Sequence, residues 1–379
     1  MLRLRRAERD DVRVSDSGAV EIRAAVCAAF GAPLEVTPVL LDHPAEGEVR
    51  IRLEAFAICH SDVAYAAGAW GGALPAVYGH EACGIVEEVG AGVSSPAAGQ
   101  RVVVGLARYC GSCAPCRAGE PALCAGSFRL DRDSPITSLA GDAIAQGLRC
   151  GAFAEQVTVH ASQAVPLPDG IVPASACLIA CAVMTGLGAV ENTARVAAGS
   201  SVAVIGAGGV GLNVLQGAVI AGADPVVAID VSAGKLAAAR SFGATHTIDA
   251  TESDPVAEVL ALTGGGADVV ISTAGSSSAV EQGLACARRG GSLVVVGMPP
   301  GGHLASFDPG ALAHDGKRIL GSKLGSSRPH ESVPRIAALY SAGALRLDEL
   351  VTATYPLDGI NDAIAAMSGG SAIRNVVVL

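Results

Sequence analysis

One stretch, Ser201-Val-Ala-Val-Ile-Gly-Ala-Gly-Gly-Val-Gly-Leu212, constrains the chain more than any other. Its apolar run from Val202 to Ile205 reads as a buried strand. Gly206, Gly208 and Gly211 follow at G-x-G-x-x-G spacing, and an apolar helical pattern runs on from Val210 to Ala221. Gly206 permits a tight strand-to-helix turn, Gly208 lets a backbone approach a pyrophosphate, and Gly211 lets helix and strand pack closely. The helix start, at Gly209 and Val210, offers free N–H groups and a positive dipole end to that anion. By itself the motif also fits a Gly-rich turn in any α/β protein. A second strand, Val226-Val-Ala-Ile-Asp230, ends in an acid roughly 20 residues on, where a ribose 2′-OH is bound. A carboxylate there repels a 2′-phosphate, so Asp230 favours NAD over NADP.

The pattern around this stretch alternates. Helices are expected over 232–242, 254–262 and 277–287, and strands over 245–248, 268–272, 292–296 and 318–321. Strands alternating with helices across short Gly turns argue for parallel βαβ units, an α/β doubly wound sheet. Further helices are expected at 174–181, 185–193, 334–342 and 358–367, and a strand over 372–379.

The chain has 379 residues, more than one typical domain. Half the residues are hydrophobic but only 3% are aromatic, so the core must be aliphatic. A net charge of −10 argues against a nucleic-acid partner. No apolar run reaches the roughly 18 residues of a membrane helix. The charged start has no hydrophobic signal region, which makes residues 1–20 a flexible extension and the protein cytoplasmic. An organelle-targeting segment is the alternative, opposed by Glu8, Asp10 and Asp11. Eleven cysteines without a secretion signal should stay reduced and invite a metal reading.

The half before the coenzyme motif reads as short β-strands with Gly- and Pro-rich loops, and residues 125–150 read as a polar loop. It carries Cys59-His60-Ser61-Asp62, then Gly79-His80-Glu81, then Cys110-x2-Cys113-x2-Cys116-x7-Cys124. Four thiolates in one loop close a tetrahedral zinc site with no open position. An iron–sulfur cluster also uses closely spaced cysteines, though the x7 gap fits it less well. Cys177 and Cys181 sit in a helical stretch, where free cysteine buries easily.

These motifs, in this order, resemble the zinc-dependent medium-chain alcohol dehydrogenases over about residues 22–379. The segment Ala180-Cys181-Ala-Val-Met-Thr-Gly-Leu-Gly-Ala189 is similar to the branch of class III and aryl-alcohol dehydrogenases. The resemblance implies a Rossmann domain, 183–326, and a mostly β GroES-like catalytic domain, 21–182 with 327–379. It implies two zinc ions per chain, one held by Cys59, His80 and Cys181 with Glu81 as an exchanging ligand, the other by the four-cysteine loop. Glu81 as a salt-bridging residue is the alternative. Asp62 would orient His80, and Ser61 would carry the alcohol proton. Ala64 stands where many relatives have a relay histidine. His60 and Arg374 would contact the pyrophosphate, Thr185 the nicotinamide and Lys235 the ribose. Arg374 as a plain surface arginine and Cys177 as a core residue are the readings without the resemblance.

The substrate expected is a primary alcohol or aldehyde, aromatic or medium-chain, in a pocket lined by Trp70, Leu106 and Met298. Trp70 as a core aromatic is nearly as good a reading. Ala69-Trp70-Gly71-Gly72 replaces the acids of the glutathione branch, yet a thiol-dependent formaldehyde dehydrogenase stays open. A zinc-stabilised NAD-binding redox sensor is the non-enzyme alternative. The resemblance also implies a homodimer.

Overall fold

The computed structural model describes residues 18–368 and 372–379. The expected extension lies outside them except for its last three positions, and Val20 already opens a strand.

The six-stranded sheet runs, across its width, His246–Asp249, Val226–Asp230, Val202–Ile205, Ala267–Ser272, Ala287–Val295 and Arg318–Gly321. Every neighbouring pair is parallel. The first strand in the chain therefore lies inside the sheet, and the build reverses beside it. Ligands of doubly wound sheets bind at such a reversal, at the carboxyl ends of the strands, and the Gly-rich turn sits there. Both faces are covered by helices, so the strands are apolar throughout rather than alternating. The helices Ala233–Ser241, Pro255–Thr263 and Ser277–Cys286 begin where Ser232, Asp254 and Ser276 accept a first-turn N–H. Each such cap stabilises its helix by about 1 kcal/mol.

Two expected boundaries move. The fifth strand begins at Ala287, not Ser292, and takes in Arg288-Arg289-Gly290-Gly291. The helix expected from Pro334 begins at Pro329, with Pro334 in its interior. Pro329 takes the helix-start position, where a missing N–H costs nothing.

The rest of the chain is mostly β. A small closed barrel joins Val20–Cys27, Glu35–Leu41, Ile136–Thr137, Ala143–Gln146 and Ala76–Val77. A seven-stranded sheet lies beside it, built around Glu48–Ala57, which pairs with Glu81–Val89, Gln156–His160 and the C-terminal Arg374–Val378. Residues 125–150 correct the loop expectation. Ile136 and Ile144 are buried, and their two short strands help to close the barrel. Neither strand is long enough to show a period.

The core is aliphatic, as the composition requires. One cluster fills the β half. A second runs from Ala55, Cys83 and Val103 through Leu178, Leu187 and Val190 into Val204, Leu215 and Ile271. The segment 173–194 belongs to both halves through this cluster. Burying each of its large aliphatic side chains is worth about 1.5–3 kcal/mol.

Candidate active site

The first ligand side chain stands at a strand-to-helix junction. Cys59 is extended, and the helix His60–Ala66 starts after it. Asp62 Oδ2 accepts the Cys59 N–H at 3.1 Å, and Oδ1 accepts Gly79 N–H at 3.0 Å and His80 Nδ1–H at 2.9 Å. Asp62 thus ties both motifs together and fixes the His80 ring with Nε2 free to ligate. Asp62, His80 and Glu81 are all buried.

Cys181 arrives from the other half. The helical stretch 173–194 bends by 50° between Pro173–Ala180 and Ala182–Ala194. The bend is at Cys181 itself, which leaves helical geometry at φ −139°, ψ −71°. The one residue out of helical register is the one that turns its thiol into the site. Sγ of Cys181 lies 4.0 Å from the Thr185 hydroxyl, and the Thr185 N–H closes the next turn on the Cys181 carbonyl at 2.7 Å. Cys177 is buried and donates to Ala174 O at 3.3 Å, the core role expected of it.

One ligand atom from each of Cys59, His80, Glu81 and Cys181 falls within 4.8 Å of the others. The hydrogen bond between the Cys59 and Cys181 thiols holds Cys59 well below the usual thiol range and Cys181 well above it. Burial pushes Glu81 up to about 8, against the pull of Arg374. Both Glu81 oxygens lack a hydrogen-bond donor. Two soft thiolates, an oriented imidazole and a carboxylate make a fitting donor set for zinc.

The four-cysteine loop forms a second set, again within 4.8 Å. Cys124 Sγ lies 3.7 Å from Cys110 Sγ and 3.8 Å from Cys113 Sγ. A tetrahedron of about 2.3 Å Zn–S bonds has edges of about 3.8 Å. That spacing fits one zinc ion and leaves no room for a multi-iron cluster. Among the described residues this lobe buries little beyond Ala107, Pro121, Ala122 and Leu130, with Leu324 packed on it, so cross-linking has to replace burial there.

The coenzyme cradle is equally specific. Gly206 has φ +95°, and a Cβ on Gly211 would lie 1.8 Å from Gly206 O. A Cβ on Gly208 would meet nothing within 4 Å. The protein's own packing does not require glycine at 208, and the open side of the turn leaves room for a pyrophosphate to approach. Asp230 closes the second strand, accepting Ala207 N–H at 2.7 Å and the N–H groups of Val231 and Ser232 at 2.8 and 3.0 Å. Arg374 corrects the surface-arginine reading. It is buried, 3.2 Å from Glu81 and 3.2 Å from Ile58 O. Its Nε has no acceptor and lies 2.3 Å from where a Gly209 Cβ would be. The charges of Arg374 and Lys235 both reach His60. Two cations, Arg374 and Lys235, the His60 ring, which burial and these two charges keep neutral, and a helix start therefore lie around the Gly208–Val210 turn, a fit for a pyrophosphate.

The substrate-side residues divide. Trp70 stacks edge-on against Tyr65 at 5.0 Å, and Tyr65 on Tyr78 at 6.1 Å. The chain has one Trp, five Tyr and six Phe, so three in one place mark a wall. Ser61 and Tyr65 share a helix face, being four residues apart. Trp70 is half-buried and its indole N–H points at Pro299 O, 3.4 Å away, across from the coenzyme half. Leu106 packs with Leu324 and Cys181. Met298 is 61% exposed, so it stands on the open surface beside Pro299 rather than among them. Tyr65, Tyr78 and Leu324 were not legible as site residues, because nothing in their spacing marks them.

The profile of the alcohol dehydrogenase GroES-like domain matches residues 45–169, and that of the zinc-binding dehydrogenases matches residues 209–341. An S-(hydroxymethyl)glutathione dehydrogenase of Paracoccus denitrificans is 35% identical over 372 residues, covering 94% of this chain and 99% of its own. An alcohol dehydrogenase zinc-binding domain protein from Burkholderia ambifaria superposes with a TM-score of 0.91 at 34% identity, covering 95% and 99%. Benzyl alcohol dehydrogenase from Acinetobacter calcoaceticus does so at 0.89 and 31%, with the same coverage. The ligand sets, the coenzyme cradle and these likenesses agree, and the chain belongs to the zinc-dependent medium-chain alcohol dehydrogenases.

Proposed function

We propose that this dehydrogenase interconverts primary alcohols and aldehydes, aromatic or medium-chain, with NAD(H), using two zinc ions per chain. One observation carries the reading: Arg374 touches both sites at once, Glu81 behind the ligand set and Gly209 in the coenzyme loop. Zinc in the Cys59–His80–Cys181 set supplies Lewis acidity toward a substrate oxygen, and NAD(H) supplies the hydride chemistry.

The chain's own residues do the rest. Asp62 holds the His80 ring, and Arg374 holds Glu81 behind it. Ser61 takes the alcohol proton and passes it outward, and Ala64 offers no imidazole to continue the path. Thr185 flanks the nicotinamide, His60 and Arg374 take the pyrophosphate, and Asp230 with Lys235 takes the ribose. Trp70, Tyr65 and Leu106 exclude water around the reacting carbon. We take 21–182 with 327–379 as the catalytic domain and 183–326 as the coenzyme domain. The cysteines of the described residues are all unpaired, which suits the cytoplasm.

The partner we propose is a second copy. Arg318–Gly321 is the outer strand of its sheet among the described residues; Ile319 is exposed on it, and Leu304 and Phe307 are exposed in the segment that leads into it. An apolar open edge is a pairing template.

The test is NADH oxidation with a panel of aldehydes, repeated with NADPH. Turnover of benzaldehyde or a medium-chain aldehyde with NADH is expected. The Paracoccus relative's name keeps a second reading, thiol-dependent formaldehyde oxidation. Formaldehyde turnover strictly dependent on glutathione, with no turnover of simple aldehydes, selects it.

A further inference from the structure

The helix that opens the coenzyme cradle, Gly209–Ile220, is apolar except for two amides, Asn213 and Gln216, and both are buried. With Gly209 they stand at i, i+4 and i+7, on one face of the helix. A buried amide is costly unless its donors and its acceptor are met. Here they are met by one another and by two backbone groups. Arg346 N–H donates to Gln216 Oε1 at 2.7 Å. Gln216 Nε2 donates to Asn213 Oδ1 at 3.2 Å and to Arg346 O at 3.1 Å. Asn213 Nδ2 donates to Gly209 O at 2.7 Å.

Both ends force the direction of this line. A backbone N–H only donates, so Gln216 turns its oxygen toward Arg346 and its nitrogen toward Asn213. A carbonyl only accepts, so Asn213 turns its nitrogen toward Gly209 and its oxygen toward Gln216. Each amide therefore accepts at oxygen and donates at nitrogen, head to tail.

The last amide in the line is the peptide between Gly209 and Val210. Its carbonyl takes the bond from Asn213. Its N–H is that of Val210, in the first turn of the helix, where N–H groups have no intrahelical acceptor. Leu212 N–H makes the first bond of the ladder, to Gly208 O at 2.9 Å. Hydrogen bonds in a line polarise one another, and the effect gains weight where water is excluded. Donation to the Gly209 oxygen thus makes the Val210 N–H a stronger donor. The helix Ala182–Gly188, which carries Thr185, closes the remaining space: a Cβ on Gly186 would lie 2.5 Å from Asn213 Cβ and 2.7 Å from Val210 O.

The far end of the line lies in the other half of the molecule. Arg346 follows the helix Pro329–Ser341, and its side chain is exposed. Its neighbours Leu345 and Leu347 are buried in the cluster that the two halves share. Gln216 grips the N–H and the carbonyl of that one residue, as a paired strand would.

We propose that Asn213 and Gln216 are positioning residues for the coenzyme pyrophosphate, through which the Arg346 backbone strengthens the Val210 N–H as an anion donor. The proposal rests on the coenzyme reading above and adds to it a reach from the catalytic half into the phosphate site.

The experiment measures equilibrium binding of NADH, ADP-ribose and adenosine, with melting curves of the ligand-free protein. ADP-ribose keeps the pyrophosphate without the nicotinamide, and adenosine lacks both. Asn213→Leu keeps the branched shape and removes both bonds. It is expected to weaken NADH and ADP-ribose about tenfold, and adenosine less than about twofold. Asn213→Ser should recover most of that affinity, because a helical serine hydroxyl reaches the carbonyl four residues back. Gln216→Met should weaken ADP-ribose about threefold by itself, and add nothing to the loss in Asn213→Leu.

Variants that melt lower but bind ADP-ribose as the wild type does reduce the two amides to packing and overturn the proposal. Equal losses for adenosine and ADP-ribose do the same, and so does an Asn213→Ser protein as weak as Asn213→Leu. Should Asn213→Leu fail to fold, Gln216→Met decides, and unchanged ADP-ribose binding rejects the proposal. A wild type that binds neither NADH nor ADP-ribose rejects the coenzyme reading itself, and the proposal falls with it.

Discussion

Asp62 Oδ1 lies 2.9 Å from His80 Nδ1, with both side chains buried. Burial works against a charged ring, yet the Asp62 and Cys181 charges hold the His80 pKa well above its ordinary value. The aspartate therefore fixes both the orientation of the ring and which nitrogen faces the ligand set. Asp62→Asn should weaken zinc binding in this set, and kcat/KM with it, by about 10–100-fold. Competition with a chromophoric chelator measures the first and NADH oxidation the second.

Metal analysis should find two zinc ions per chain. Cys181→Ser should lose one and, with it, activity. Cys116→Ser should lose the other and lower the melting temperature, because that lobe has little core of its own. Limited proteolysis of the Cys116→Ser protein should cut within residues 110–131 first. One ion in the wild type would reject the assignment.

Gly208 and Gly211 should behave oppositely on replacement by alanine. Gly208 has ordinary extended angles, φ −78° and ψ −170°, and open space at its Cβ. Gly208→Ala should leave the stability of the coenzyme-free protein unchanged within about 0.5 kcal/mol while weakening NADH binding at least about tenfold. Gly211→Ala drives a methyl into Gly206 O and should destabilise the fold by about 2–3 kcal/mol. Melting curves with and without NADH separate the two effects.

Asp230→Ser should raise the KM for NADH by about tenfold and bring NADPH turnover into measurable range, since it removes a charged acceptor and a repulsive charge together. Some stability should be lost as well, because Asp230 also binds three backbone N–H groups. A variant that keeps its NADH preference intact would falsify the role given to this acid.

Phe307→Asp combined with Ile319→Asp should turn the proposed dimer into a monomer by sedimentation or light scattering. Charge on an open apolar edge disfavours pairing. A wild-type chain that is monomeric at all concentrations rejects the partner.

The coenzyme half was legible because its period is strong. Buried parallel strands are short aliphatic runs, and the helices between them begin at Ser or Asp caps. Cys59, His80 and the four-cysteine loop were legible because ligand chemistry restricts residue type. Arg374 was named only through the family resemblance, since a single arginine in a strand looks the same whether its neighbour is solvent or Glu81. Residues 136–144 were missed because their strands are two and four residues long, held by cross-strand partners far away in sequence. The left-handed backbones at Arg149 and Leu324 were not legible either: Arg108, Gln163 and Asn192 impose them, and no local residue preference announces them.

The cluster that joins Cys83 and Leu178 to Val204 and Leu215 draws a different boundary from the one the sheets suggest. An engineer exchanging the coenzyme module between relatives, to change cofactor or temperature range, would cut naturally at residue 183. That cut divides one packed interior and leaves Leu187 and Val190 facing side chains that grew up with another helix. A working chimera has to carry residues 173–194 with the module, and Cys181 travels with them, so the donor of the coenzyme half also donates a metal ligand.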